Sequence, residues 1–197
     1  MQEIQAGITY FAKAGRENTQ QVLALAQERI DALGIRSVLV ATTTGETAAL
    51  AVSRFRHCEM IAVTHSTGFR TPNEQEMLFE HRALIESSGG KVLTAQHAMG
   101  GINRAVRRKL NTYQLDEIIA STLRIFGQGM KVVCEIALMA ADAGLVRTDE
   151  AVLSIAGTGR GADTAVVLQP VNAQDFFDLK IMEIVCLPLP LHPHFNS

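Results

Sequence analysis

The strongest constraint on the fold is one short stretch in which an apolar run passes straight into a helix through a turn of hydroxyls. Val38, Leu39, Val40 and Ala41 are followed at once by Thr42, Thr43, Thr44 and Gly45, and then by Glu46, Thr47, Ala48, Ala49, Leu50, Ala51 and Val52. An apolar run without polar alternation suits a strand buried on both faces of a parallel sheet. Strand, short turn and helix start together place unpaired backbone N–H groups and a positive dipole end at one point, which is a cradle for phosphate. An ordinary strand-to-helix turn capped by Thr43 or Thr44 fits the same residues. The Lys of G-x-x-x-x-G-K-[ST] is missing, which argues against a triphosphate-hydrolysing P-loop.

The pattern repeats along the chain. Residues 8–11 read as a short strand or arm, and Asn18 with Gln21 resembles a capping box ahead of Val22, Leu23, Ala26, Ile30 and Leu33, a helix stopped by Gly34. After the central stretch, residues 60–64 form an apolar strand ending in His65, Ser66, Thr67, Gly68 and Phe69. Thr71, Pro72 and Glu74 predict a helix start, with Met77, Leu78, His81, Leu84 and Ile85 on one face and Gly89 and Gly90 at the end. Residues 91–94 make a third strand. This alternation predicts a parallel α/β sheet covered by helices. A chain of 197 residues buries roughly 70% of its unfolded surface, enough for one domain over residues 1–187, with a proline-rich tail over 188–197 that cannot continue a sheet.

The second half changes character. Leu115, Ile118, Ile119, Leu123 and Phe126 give an amphipathic helix interrupted by Gly127, Gln128 and Gly129, and the following segment is apolar nearly all round, so it predicts a buried helix. Glu135 stands at its centre and must find a partner, for which Lys131 is one turn away. Residues 152–156 and 164–169 are strands around GTGRGAD. Gly157, Gly159 and Ala162 imitate a dinucleotide fingerprint, but that motif must open a helix, and TAVVLQP reads as the second arm of a hairpin. Arg160 stands at the tip of this loop, where glycines permit close approach of a ligand and a guanidinium suits phosphate; a merely flexible glycine loop fits the same residues. Residues 180–187 form a last strand.

Composition narrows the function classes. A net charge of -2 argues against nucleic acid as a partner, and Arg104, Arg107, Arg108 and Lys109 read as a solvated helix face. Cys58, Cys134 and Cys186 lie far apart in apolar runs, so they predict reduced core residues; there is no C-x-x-C zinc spacing, and no metal is expected. The N-terminal residues lack a basic and a long apolar region, and no run reaches about 18 apolar residues, so the expectation is a cytoplasmic protein without a membrane partner.

Taken together, YFAKAGRENT, VLVATTTGETA, VTHSTGF, FGQGMKVVCEIALMAADAG and GTGRGADTAVVLQP with FFDLKIMEIVC resemble stand-alone, mainly microbial proteins similar to the C-terminal α/β domain of pyruvate kinase. The resemblance implies a three-layer α/β/α sandwich with a mostly parallel five-stranded sheet, order 3-2-1-4-5 with the fifth strand antiparallel, and extra terminal strands. It places the strand at 38–41 beside the strand at 152–156, at the switch point where open sheets bind ligands. In pyruvate kinase the corresponding turn and glycine-arginine loop hold the phosphates of a sugar bisphosphate effector; here they are Thr42, Thr43, Thr44, Gly45, Glu46 and Thr47 with Gly157, Thr158, Gly159, Arg160 and Gly161. The catalytic barrel of pyruvate kinase is not among these residues, so that activity is not expected. The stand-alone relatives imply flavin mononucleotide as cofactor, its phosphate held by the threonine turn and Arg160, and its ring against His65, Ser66, Thr67, Gly68 and Phe69 and against Gly127, Gly129 and Met130. Lys131 and Glu135 complete the candidate set. Gly45 is expected at the point where the phosphate meets the backbone, with a positive φ, and His65 is the candidate for acid-base work. The competing expectation is a regulatory module that senses a phosphorylated metabolite through a homo-oligomer interface.

Overall fold

The computed structural model describes residue 3 and residues 5–189. Thirteen strands and α-helices follow in chain order among the described residues: β1 (Thr9–Phe11), α1 (Thr19–Leu33), β2 (Ser37–Ala41), α2 (Glu46–Arg54), β3 (Glu59–Val63), α3 (Phe79–Ser87), β4 (Lys91–Leu93), α4 (Gly101–Leu110), α5 (Leu115–Leu123), α6 (Gln128–Asp142), β5 (Val152–Ala156), β6 (Thr164–Gln169) and β7 (Lys180–Pro188). One sheet takes all the strands in the order β1-β7-β6-β5-β2-β3-β4. Its five strands β4-β3-β2-β5-β6 have the expected order, with β6 antiparallel to β5. The sheet is larger than five strands because β7 adds antiparallel to β6 and β1 parallel to β7.

Side-chain alternation on the strands makes the three layers. Val38, Val40, Leu153, Ile155, Ala165 and Val167 point to one face, where α1, α2 and α3 bring Val22, Leu23, Ala48, Val52 and Ile85. Leu39, Ile61, Val63, Val152, Ala156 and Val166 point to the other, against Val133, Cys134, Ala137 and Ala140 of α6. The nearly all-apolar α6 is therefore the buried helix the sequence predicts, and Ser154 on this face donates its hydroxyl to the Val133 carbonyl at 3.0 Å. No helix among the described residues is long and apolar enough to cross a membrane.

Local expectations fail where polar side chains find better partners. Asn18 precedes α1 but does not cap it; its amide goes to the carbonyls of Lys13 at 2.7 Å and Gly15 at 3.3 Å. No helix starts at Thr71. Asn73 has φ 66, the Gly68 amide donates to the Glu74 carbonyl, and α3 begins only at Phe79 after an extended Leu78. The loop outcompetes the capping motif because Gln75 and Glu76 are recruited backward: Gln75 Nε2 donates to the His65 carbonyl at 2.9 Å, and Glu76 binds His65 and Arg70. At the other end the strand expected to stop at 187 runs to Pro188, which pairs with Phe11 of β1. The rest of the expected tail, residues 190–197, lies outside the described residues.

Candidate functional site

The sheet reverses its winding between β2 and β5, which pair in parallel from Ser37↔Val152 to Val40↔Ile155, so a crevice must open above their C-terminal ends. A cavity of about 270 Å³ occupies it. Its floor is the turn after β2, the glycine loop after β5 and the loop after β3, and α6 forms a wall.

The threonine turn is built from within. Thr42 Oγ1 accepts the Gly45 amide at 3.1 Å, and the Thr44 carbonyl accepts Leu78 N–H at 3.0 Å and lies 2.8 Å from His81 Nδ1. Gly45 has the expected positive φ, +94; a Cβ there would also lie 2.5 Å from His81 Cβ, and Gly45 does not line the cavity. Thr42, Thr43, Thr44, Glu46 and Thr47 do line it. The first amides of α2 have no helical acceptor. Glu46 brings a negative charge to the same place, and Arg16 pairs with it, which limits its repulsion of an anion.

On the facing loop the glycines are steric necessities. A Cβ at Gly157 would meet the Gly161 carbonyl at 2.6 Å, and one at Gly161 would meet Arg16 Cα at 2.6 Å; at Gly159, φ +77, there is open space. Asp163 ties the loop down. Fully buried, it accepts the amides of Gly15 and Thr158 at 3.0 Å each and the Thr164 hydroxyl at 2.8 Å. Arg160, exposed beside the cavity, makes no ion pair with a described residue.

The loop after β3 brings chemistry the sequence only half revealed. His65 Nδ1 is 2.7 Å from Glu76 Oε2, and Arg70 Nε is 3.0 Å from the other oxygen, so a carboxylate orients the imidazole. Phe69 stacks on His97 at 4.8 Å between centroids. Beneath lies a buried pair with a half-buried neighbour: Lys131 Nζ pairs with Glu135 Oε2, His97 Nδ1 is 3.7 Å from that oxygen, and Met99 N–H donates to Glu135 Oε1 at 3.0 Å. Burial alone would raise the Glu135 pKa, but His97 and Lys131 hold the carboxyl at about 2. Burial pushes the Lys131 ammonium down, against the pull of Glu135.

Of the residues expected at the site, His65, Phe69, Glu135, Gly157, Gly159, Arg160 and Gly161 join the threonine turn around the cavity. Others stand aside. The Ser66 amide faces His97 Nε2 at 3.4 Å, the Gly68 amide closes the loop, and the Thr158 amide serves Asp163; none of these, nor Thr67, lines the cavity. Gly127, with φ 107, separates the turn after α5 from α6. Gly129 lets α6 approach β6, since a Cβ would sit 2.1 Å from Thr164 Oγ1. Met130 is core, and Lys131 is spent on Glu135. On another face of α6, Gln128, Val132, Ile136 and Met139 line the cavity instead, a stripe whose helical spacing was available in the sequence. Thr64, Arg70 and His97 also line it, and Arg70 and His97 carried no sequence signal.

The family model for the pyruvate kinase alpha/beta domain matches residues 20–168. Two solved structures of pyruvate kinase from Cryptosporidium parvum are similar at 12% identity, each over 78% of this chain, with TM-scores of 0.42 and 0.40. The chain spans 23% and 22% of those proteins. With about three quarters of its length matched by the family model, this chain belongs to the pyruvate kinase alpha/beta domain family.

Proposed function

We propose that the cavity above β2 and β5 binds a phosphate-bearing small molecule, and that this ligand is flavin mononucleotide. One observation carries the reading: the threonine turn and the glycine-arginine loop meet over adjacent strands, while the side above β3 and α6 brings Phe69, Val132, Ile136 and Met139 together with the polar His65, Arg70, His97, Gln128 and Glu135. The phosphate would lie with Thr43, Thr44, Thr47 and Arg160, where amides, hydroxyls and a guanidinium without a carboxylate partner among the described residues coincide. The ring would lie toward Phe69, Val132, Ile136 and Met139. In this reading His65, oriented by Glu76, is the acid-base group beside the ring. Flavin bound there supplies hydride and single-electron chemistry.

A second reading draws on size. The cavity's 270 Å³ falls just below the roughly 300–1,000 Å³ usual for ligand pockets, which favours a smaller occupant such as a sugar bisphosphate sensed by a regulatory homo-oligomer. Leu115, Ile118, Ile125 and Phe126, large and exposed on neighbouring elements, suit a subunit contact.

The test is reconstitution of purified protein with excess flavin mononucleotide, then desalting and an absorption spectrum. Retention of about one flavin per chain supports the first reading. No flavin retained, together with thermal stabilisation by a sugar bisphosphate, supports the second.

A further inference from the structure

A second, larger groove lies beyond Phe69 and Arg70, which it shares with the first cavity. It has a volume of about 600 Å³, and its lining carries Arg70, Arg104, Arg107, Arg108 and Arg124 with one carboxylate, Glu117, and Tyr113. The sequence suggested a solvated basic face on one helix. The structure instead draws the guanidinium groups from three separate segments: the loop after β3, α4, and the turn after α5.

Helix stability does not account for the arrangement. Cations in the last turn of α4 favour its dipole, but Arg70 and Arg124 belong to other segments. Arg104 and Arg108 are four residues apart on one helix face, a like-charge spacing that costs stability. In a chain of net charge -2, gathering five guanidinium groups creates a local repulsion that spreading them over the surface would relieve.

The side chains are also held in place in a way that leaves their outer donors free. Arg70, Arg107 and Arg124 are each tethered through Nε, to Glu76 at 3.0 Å, Glu117 at 2.5 Å and Gln128 at 2.7 Å. The terminal nitrogens, which make the forked grip on phosphate, remain. Arg104 lies with its guanidinium carbon 4.5 Å above the Phe69 ring. Neither Arg104 nor Arg108 pairs with a carboxylate among the described residues. Five cations less the carboxylates of Glu117 and of Glu76, which pairs with Arg70, leave an excess of three positive charges, which two phosphate groups of about -1.5 to -2 each would neutralise.

We propose that this groove binds a small molecule carrying at least two linked phosphate groups, either a nucleoside diphosphate or a free polyphosphate. The site adjoins the cavity above β2 and shares Phe69 and Arg70 with it, but Arg104, Arg107, Arg108 and Arg124 lie outside that cavity.

The experiment is calorimetric titration of the full chain with inorganic pyrophosphate, ADP, orthophosphate and adenosine, each against wild type and Arg108→Glu. Arg108 is exposed, and an unchanged melting temperature confirms that the variant folds. Pyrophosphate and ADP should bind at least about tenfold more tightly than orthophosphate, and Arg108→Glu should weaken both by about tenfold or more while leaving flavin mononucleotide titration unchanged. Tighter binding of ADP than of pyrophosphate assigns a nucleotide; equal binding assigns free polyphosphate. The chain has no Trp and only two Tyr, so in Tyr10→Phe the remaining Tyr113 emission should change as pyrophosphate, itself transparent, fills the groove. The proposal is overturned by absence of pyrophosphate binding, by equal affinity for orthophosphate, by indifference to Arg108→Glu, or by competition between pyrophosphate and flavin mononucleotide for one site. Pyrophosphate binding without flavin binding would sink the flavin reading alone.

Discussion

Gly45→Ala tests whether the threonine turn is set by its own packing or by a ligand. The new Cβ would sit 2.5 Å from His81 Cβ, inside any tolerated contact, on a backbone with φ +94. Left-handed backbone costs a residue with a side chain about 1–2 kcal/mol, and forcing an extra carbon into a packed contact about 1–3 kcal/mol more, so roughly 2–5 kcal/mol of stability should be lost. His81→Ala offers only partial relief: it removes the contacts with Cγ and Nδ1 at 3.2 and 3.3 Å, but the 2.5 Å contact is with the Cβ that alanine keeps. By itself that change removes the contact between His81 Nδ1 and the Thr44 carbonyl, worth about 0.5–1.5 kcal/mol. Urea unfolding of Gly45→Ala, His81→Ala and the double variant measures all three. If Gly45→Ala costs less than about 0.5 kcal/mol, or if His81→Ala rescues it fully, the steric account of this turn is wrong.

Glu135→Gln should destabilise the fold by about 3–5 kcal/mol by leaving Lys131 buried without its counter-charge, measured by the urea midpoint. Because the folded carboxyl is held at about 2 against an ordinary 4.5, its contribution is full above about pH 4.5 and lost as pH falls toward 2; the variant should lack that part of the acid slope in pH-dependent unfolding. Ile136→Ala, at a side chain that is 4% exposed, should cost roughly 2–5 kcal/mol in the same assay, and a loss near zero would contradict the buried α6 layer.

The sheet was legible because buried strands announce themselves: Val38 to Ala41 and Val152 to Ala156 need two covered faces, and only a parallel sheet with helices on both sides supplies them. The nearly all-apolar α6 was legible for the same reason. The threonine turn and the glycine loop were each readable as suspicious, but their meeting depends on β2 and β5 being neighbours across more than a hundred residues of chain, which came from the family resemblance and not from any local pattern. Motifs failed where side chains had competing partners. Thr71, Pro72 and Glu74 spell a helix start, yet Gln75 and Glu76 bind His65 and Arg70 and hold the segment as a loop. The glycines were legible in part: a need for no side chain at Gly45, Gly129 and Gly161 was visible, but not that a Cβ there would meet His81, Thr164 and Arg16. Arg70 and His97 were invisible because their roles come only from the folding back of loops over β3 and β4.

The central claim, a phosphate held between the threonine turn and Arg160, is tested most directly by fluorescence titration of wild type and Arg160→Ala with flavin mononucleotide and riboflavin. Wild type should bind the phosphorylated flavin more tightly, and the variant should lose roughly 1.5–3 kcal/mol, about 10- to 150-fold, for flavin mononucleotide and little for riboflavin. Equal affinity of the wild type for both flavins, or an equal loss for both in the variant, would contradict it.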